Sequence, residues 1–88
     1  MYAQGVNKDE ATRFGQVVAA QVRAEIAANG QSVAGLAREL DMNRETLDRW
    51  VKGTRSMTVA TLRQIASVLG VEAHEILRRA EERFAAEV

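Results

Sequence analysis

The chain has no cysteine and no proline, and it has only one histidine, one tryptophan and one tyrosine. Without cysteine there is no disulfide and no thiolate metal ligand, and one histidine alone cannot build a zinc site. No apolar run approaches the roughly 20 residues that span a bilayer, and no signal-peptide pattern opens the sequence. An excess of either charge is missing too, since 12 basic residues face 12 acidic ones. Nor is there a nucleophile paired with a base, or a glycine-rich phosphate loop. No catalytic or metal residues are assigned, and no cofactor. The expectation is a soluble cytoplasmic protein that is not an enzyme, has no membrane contact and, with no second sensing domain, takes no small-molecule ligand.

What is present fits one small all-α domain. The 88 residues are 47% apolar, enough for a modest core whose stability depends on good packing or self-association. Charge is unevenly placed. Residues 44–63 hold Arg44, Arg49, Lys52, Arg55 and Arg63 against Glu45 and Asp48, a net +3. Residues 71–88 hold Arg78, Arg79 and Arg83 against Glu72, Glu75, Glu81, Glu82 and Glu87, a net −2. A whole-chain charge of zero is therefore the wrong scale on which to judge a nucleic-acid face.

Apolar spacing and cap residues predict five helices after a loose tail at residues 1–8, with one domain over 9–88. The first runs from Asp9 to Ala28, with Asn7 as cap and Phe14, Val17, Val18, Val22 and Ile26 on one stripe. The second spans Val33 to Leu40 behind Ser32 and buries Leu36, Ala37 and Leu40. The third spans Arg44 to Lys52 behind Asn43 and ends at Gly53. The fourth spans Val59 to Leu69 behind Thr58, with Val59, Leu62, Ile65, Ala66 and Leu69 inward, and ends at Gly70. The fifth spans Ala73 to Glu87, with Ile76, Leu77, Ala80 and Phe84 on one face. None can bury its stripe alone, so all must pack together.

The break between the second and third helices carries the functional information. Two helices joined by about three residues cross steeply, as in a helix-turn-helix. Ala37 is small where they touch, Asp41 tolerates an irregular backbone, Met42 plugs the turn, and Asn43 can accept from the amides of Glu45 or Thr46. Leu47 and Trp50 then anchor the third helix. At about 100° per residue, Arg44, Glu45, Asp48, Arg49 and Lys52 fall within an arc of roughly 140° on its other side.

The text "SVAGLARELDMNRETLDRWVKGTRSMTVATLRQIASVLGVEAHEIL" resembles the helix-turn-helix domains of the lambda-repressor and Cro-like family, over roughly Phe14 to Leu77. The match rests on Leu36-Ala37, the turn at Asp41 to Asn43, the polar helix ending at Gly53, and Leu69-Gly70-Val71. Departures are Val33 for a phosphate-touching glutamine, Asp41 for the turn glycine, Val51 and Lys52 for glutamate-asparagine, and Met57 for a proline.

The resemblance implies a compact five-helix fold and a regulator that binds double-stranded DNA, a repressor of phage, prophage or plasmid type. It implies base reading by Arg44, Glu45, Asp48 and Arg49. Arginine suits guanine, and a carboxylate can accept from the cytosine amino group. Gly53, Thr54 and Arg55 match backbone-contacting positions. Ser32 at a helix start, with Asn43 and Lys52, completes the phosphate set. It also implies a palindromic operator bound by a homodimer, with Ala80, Phe84 and Val88 of the fifth helix as a candidate two-fold contact.

Plainer readings stand beside these. Arg44 with Asp48, and Glu45 with Arg49, are i, i+4 pairs, worth about 0.2–0.5 kcal/mol each on a solvated helix. Glu75 with Arg79, and Arg78 with Glu82, have the same spacing. Ala80 and Phe84 can equally close the core. The zero net charge, the acidic fifth helix and Val33 also suit a protein-interaction module, an antitoxin or adaptor built on the same fold.

Overall fold

The structure, a computed structural model, describes residues 8–87. Among these, five helices follow in order: α1 (Lys8–Ala28), α2 (Val33–Glu39), α3 (Arg44–Lys52), α4 (Val59–Leu69) and α5 (Ala73–Ala86). The long α1 lies along both α5 and α3, while α2 packs on α3 and α4. The expected cap Asn7 and the contact residue Val88 lie outside the described residues, and Lys8 already belongs to α1 rather than to the tail.

One core joins every helix. Val22, Leu36, Leu47, Val51, Ile65 and Ile76 are its largest fully buried side chains. Burying each is worth about 1.5–3 kcal/mol relative to exposure. Trp50, Val18, Leu40 and Met42 are half-buried and pack against the same cluster. Trp50 is thus a core-edge residue, not a displayed ring.

Side-chain caps set the helix starts. Ser32 Oγ accepts from the Gly35 amide at 3.0 Å, Asn43 Oδ1 from Glu45 at 2.8 Å and Thr46 at 3.2 Å, and Thr58 Oγ1 from Thr61 at 3.0 Å. Each satisfies an amide that has no intrahelical partner. Three helix ends share one geometry with left-handed glycines at 30, 53 and 70. After α3, the Thr54 amide returns to the Arg49 carbonyl and the Gly53 amide to Trp50, both at 3.1 Å. This is the Schellman closure. α2 closes the same way without glycine. Met42 N–H reaches the Ala37 carbonyl at 3.0 Å, Asp41 N–H reaches Arg38 at 3.2 Å, and Asp41 sits at φ 52°. The sharp break in the helix-turn-helix is therefore a helix C-terminus closed on a strained aspartate.

Four expectations are corrected. Val59 is not inward but 83% exposed, because the first residue of α4 overhangs the core edge. Leu77 is 37% exposed at the rim of α5's apolar arc. Ala80 is fully buried (0%), so it is not available for a two-fold contact, and Phe84 is engaged within the chain. Its ring meets Phe14 edge-on, centroids 5.4 Å apart at 85°, and Arg13 stacks over it at 5.2 Å. The Glu75–Arg79 pair is not made. Arg79 instead crosses to Glu25 on α1 at 2.7 Å, and Glu75 takes Arg78, which also holds Glu82 at 2.8 Å.

The α1–α5 seam is polar where it is not aromatic. Gln21, only 8% exposed, donates to Glu25 and accepts from Arg83 Nε, both at 2.7 Å. Burial pushes the Glu25 carboxyl up, but the bonds from Arg79 and Gln21 and the Arg79 charge outweigh it and hold the group below its ordinary value.

Candidate nucleic-acid interface

α3 is short, polar outside and anchored inside. Leu47 and Val51 are buried, with Trp50 half-buried beside them. On the other side Arg44, Glu45, Arg49 and Lys52 are exposed and Asp48 is half-exposed. The structure therefore brings the four expected base-reading residues and Lys52 onto one outward face. Neither expected i, i+4 pair forms. Asp48 pairs forward with Lys52 at 2.8 Å, which leaves Arg44, Glu45 and Arg49 without a salt bridge among the described residues.

The expected backbone-contacting residues frame this face. Asn43 starts α3, and its carbonyl oxygen is spent on the cap while its amide protons remain for an outside acceptor. Ser32 starts α2 with its oxygen accepting from Gly35 and its hydroxyl proton available. At the far end Gly53, at φ 79°, turns the chain off the helix. A Cβ there would lie 3.4 Å from Gln16 Cα on α1, at van der Waals contact, so it is the left-handed backbone that selects glycine. Thr54 donates its hydroxyl to the Arg49 carbonyl at 3.2 Å, and Arg55 is exposed on the loop that follows.

Two side chains that the sequence pattern does not mark, one on α1 and one just past its end, tie down other helices. Arg23 Nη1 donates to the Val51 carbonyl at the end of α3. Asn29 Nδ2 donates to the Leu69 carbonyl at the end of α4, 3.0 Å away. The sequence shows Asn29-Gly30 only as a stop, and nothing in the spacing of Arg23 marks it.

Chemically the face can offer guanidinium and carboxylate groups to base edges, with hydroxyl, amide and cationic groups at its borders. Among the described residues no group of three or more metal-ligating side chains gathers, and no helix is long and apolar enough to cross a membrane.

Comparison with known proteins agrees with this geometry. The model of the Cro/C1-type HTH DNA-binding domain matches residues 22–82. Among solved structures, the clp gene regulator ClgR from Corynebacterium glutamicum superposes with a TM-score of 0.79 at 19% identity, covering 84% of this chain and 79% of that one. At that identity the likeness shows the fold. No curated protein matches the chain.

Proposed function

Because the chain belongs to the Cro/C1-type helix-turn-helix DNA-binding domain family, we propose that it is a sequence-specific transcriptional regulator that reads the DNA major groove with α3. The observation that carries the reading is the face of α3. Arg44 and Arg49 stand outward without a salt bridge among the described residues, beside Glu45 and Asp48, on a helix whose other side is locked into the core. In this reading Arg44 and Arg49 pair with guanine edges, and Glu45 and Asp48 accept from cytosine. Ser32, Asn43, Lys52, Gly53, Thr54 and Arg55 hold phosphates, which supply affinity and salt dependence but little sequence choice.

The regulator acts most simply as a repressor that occupies its operator, in the phage, prophage or plasmid setting that the resemblance implies. A palindromic operator and a homodimer belong to the same proposal. Ala80, fully buried in the chain's own core, has no surface to give to its interface, while half-buried Phe84 packs against Phe14 within the chain. The test is titration of the selected duplex with Arg49→Ala. It should cost about 1–3 kcal/mol and relax preference at one base position. Unchanged affinity and unchanged preference would remove Arg49 from the reading.

One observation favours a second reading, a protein-interaction module. A groove of about 410 Å³ runs between the first half of α1 and residues 53–59, with exposed Val59 and Leu77 on its lining. Folded protein that retains no duplex at low salt would favour that module over the regulator.

A further inference from the structure

We propose that Arg23 on α1 is a positioning residue for α3, setting the pose in which the outward side chains of that helix meet DNA. The inference rests on the DNA-reading role of α3 and deepens it.

A helix ends with carbonyls that have no partner within the helix. In α3 three of them have different recipients. The Arg49 carbonyl takes the Thr54 amide and hydroxyl, and the Trp50 carbonyl takes the Gly53 amide. The Val51 carbonyl takes Arg23. Val51 is thus held at both ends, its side chain 1% exposed in the core and its carbonyl bonded to a guanidinium. The cation also sits at the end of α3 where the helix dipole is negative. Arg23 has a firm base, since Val22 and Ile26 on the same helix are core residues.

The lever matters because α3 is short. Its N-terminal end is fixed by the Asn43 cap and the turn from α2. From Arg44 to Lys52 the axis rises about 12 Å, so a pivot of about 5° at the first end moves the other by about 1 Å. Base contacts fail at displacements of that size, while phosphate contacts through long side chains tolerate them. Arg23 and the seat of Gly53 on Gln16 stop the pivot. Loss of Arg23 therefore lowers selectivity more than general affinity.

The experiment compares Arg23→Met, which keeps the aliphatic stem and removes the donors, with Arg23→Lys, which keeps a cation and a donor. Amide hydrogen exchange is read at Gly53 and Thr54, with Gly70 and Val71 as the control for global stability. Affinity is then measured on a selected duplex and on a scrambled duplex across salt. In Arg23→Met, exchange at Gly53 and Thr54 should quicken while Gly70 and Val71 stay unchanged. The ratio of the two affinities should fall on the order of tenfold, within the range of one good base contact. The salt slope should stay constant, and Arg23→Lys should recover most of the ratio. Unchanged exchange, or an unchanged ratio, overturns the proposal. So does a slope shallower by about 0.9, which would make Arg23 a phosphate contact. A wild-type protein that discriminates no duplex would instead sink the DNA reading, and exchange alone would then decide whether Arg23 holds α3.

Discussion

Asp48 and Lys52 meet at 2.8 Å across one turn of α3, and this pair sets the charge that the helix presents. It replaces the two cross-pairs that the spacing of Arg44, Glu45, Asp48 and Arg49 suggests. The lysine is drawn to the carboxylate, and both arginines stay outward. Asp48→Asn removes one negative charge and releases Lys52. Affinity for scrambled duplex should rise a few-fold, with a salt slope steeper by up to about 0.9. Titration at several salt concentrations checks this, and an unchanged slope would show that Lys52 does not approach phosphate.

The turn of the helix-turn-helix carries backbone strain at Asp41, which stands at φ 52° where the other three such closures have glycine. The left-handed conformation costs an ordinary residue about 1–2 kcal/mol, though less for aspartate, and glycine gives part of that back as unfolded-state entropy. Asp41→Gly should therefore stabilise the protein by about 0.5–1 kcal/mol in urea denaturation. A loss of stability would mean that the aspartate side chain makes up for its backbone.

Gly53 and Gly70 separate strain from packing. Both have positive φ, 79° and 73°, but a Cβ at Gly53 meets Gln16 and Ala19 of α1 while one at Gly70 meets nothing within 4 Å. Gly70→Ala should cost about 1–2 kcal/mol, the backbone share alone. Gly53→Ala should cost about the same, because the atoms its Cβ meets lie at van der Waals contact and both positions share the left-handed backbone. A clearly larger cost at Gly53 by thermal or chemical denaturation would show that Gln16 and Ala19 cannot accommodate the Cβ.

Glu25 gives the fold a pH dependence. Its carboxyl lies below its ordinary value, against the effect of burial, through Arg79 and Gln21. A depressed carboxylate contributes stability that is present above its unfolded pKa and is lost as pH falls through the folded pKa. Glu25→Gln should thus be less stable than wild type at neutral pH, and the gap should close on acidification below the ordinary carboxylate range. Denaturation curves at pH 7 and below pH 4 check the sign.

Much of this fold is legible in the sequence because its helices are bounded by local chemistry. Asn43 with Gly53, and Thr58 with Gly70, mark α3 and α4 to the residue, since a cap and a left-handed closure depend on nearby atoms only. What escapes is tertiary. Periodicity puts Val59 and Leu77 on apolar faces but cannot say where the core stops, and both fall at its rim. Ala80 and Phe84 lie beyond the family resemblance, and only the length of α1 shows that Phe14 covers Phe84. Spacing pairs Arg79 with Glu75 because it cannot see Glu25 on another helix. Arg23 is harder still, since a side chain that seeks a distant carbonyl leaves no pattern. At the interface the composition of the α3 face was readable, while its pairing was not, because Asp48 had basic neighbours on both sides.

The central claim is that α3 reads sequence, and selection of binding sites from a random duplex library at near-physiological salt tests it most directly. Wild-type protein should enrich one motif made of two inverted half-sites about one helical turn apart. Arg49→Ala should lose one base preference within each half and keep the rest. Absence of any enriched motif, from protein shown to be folded, would contradict the account.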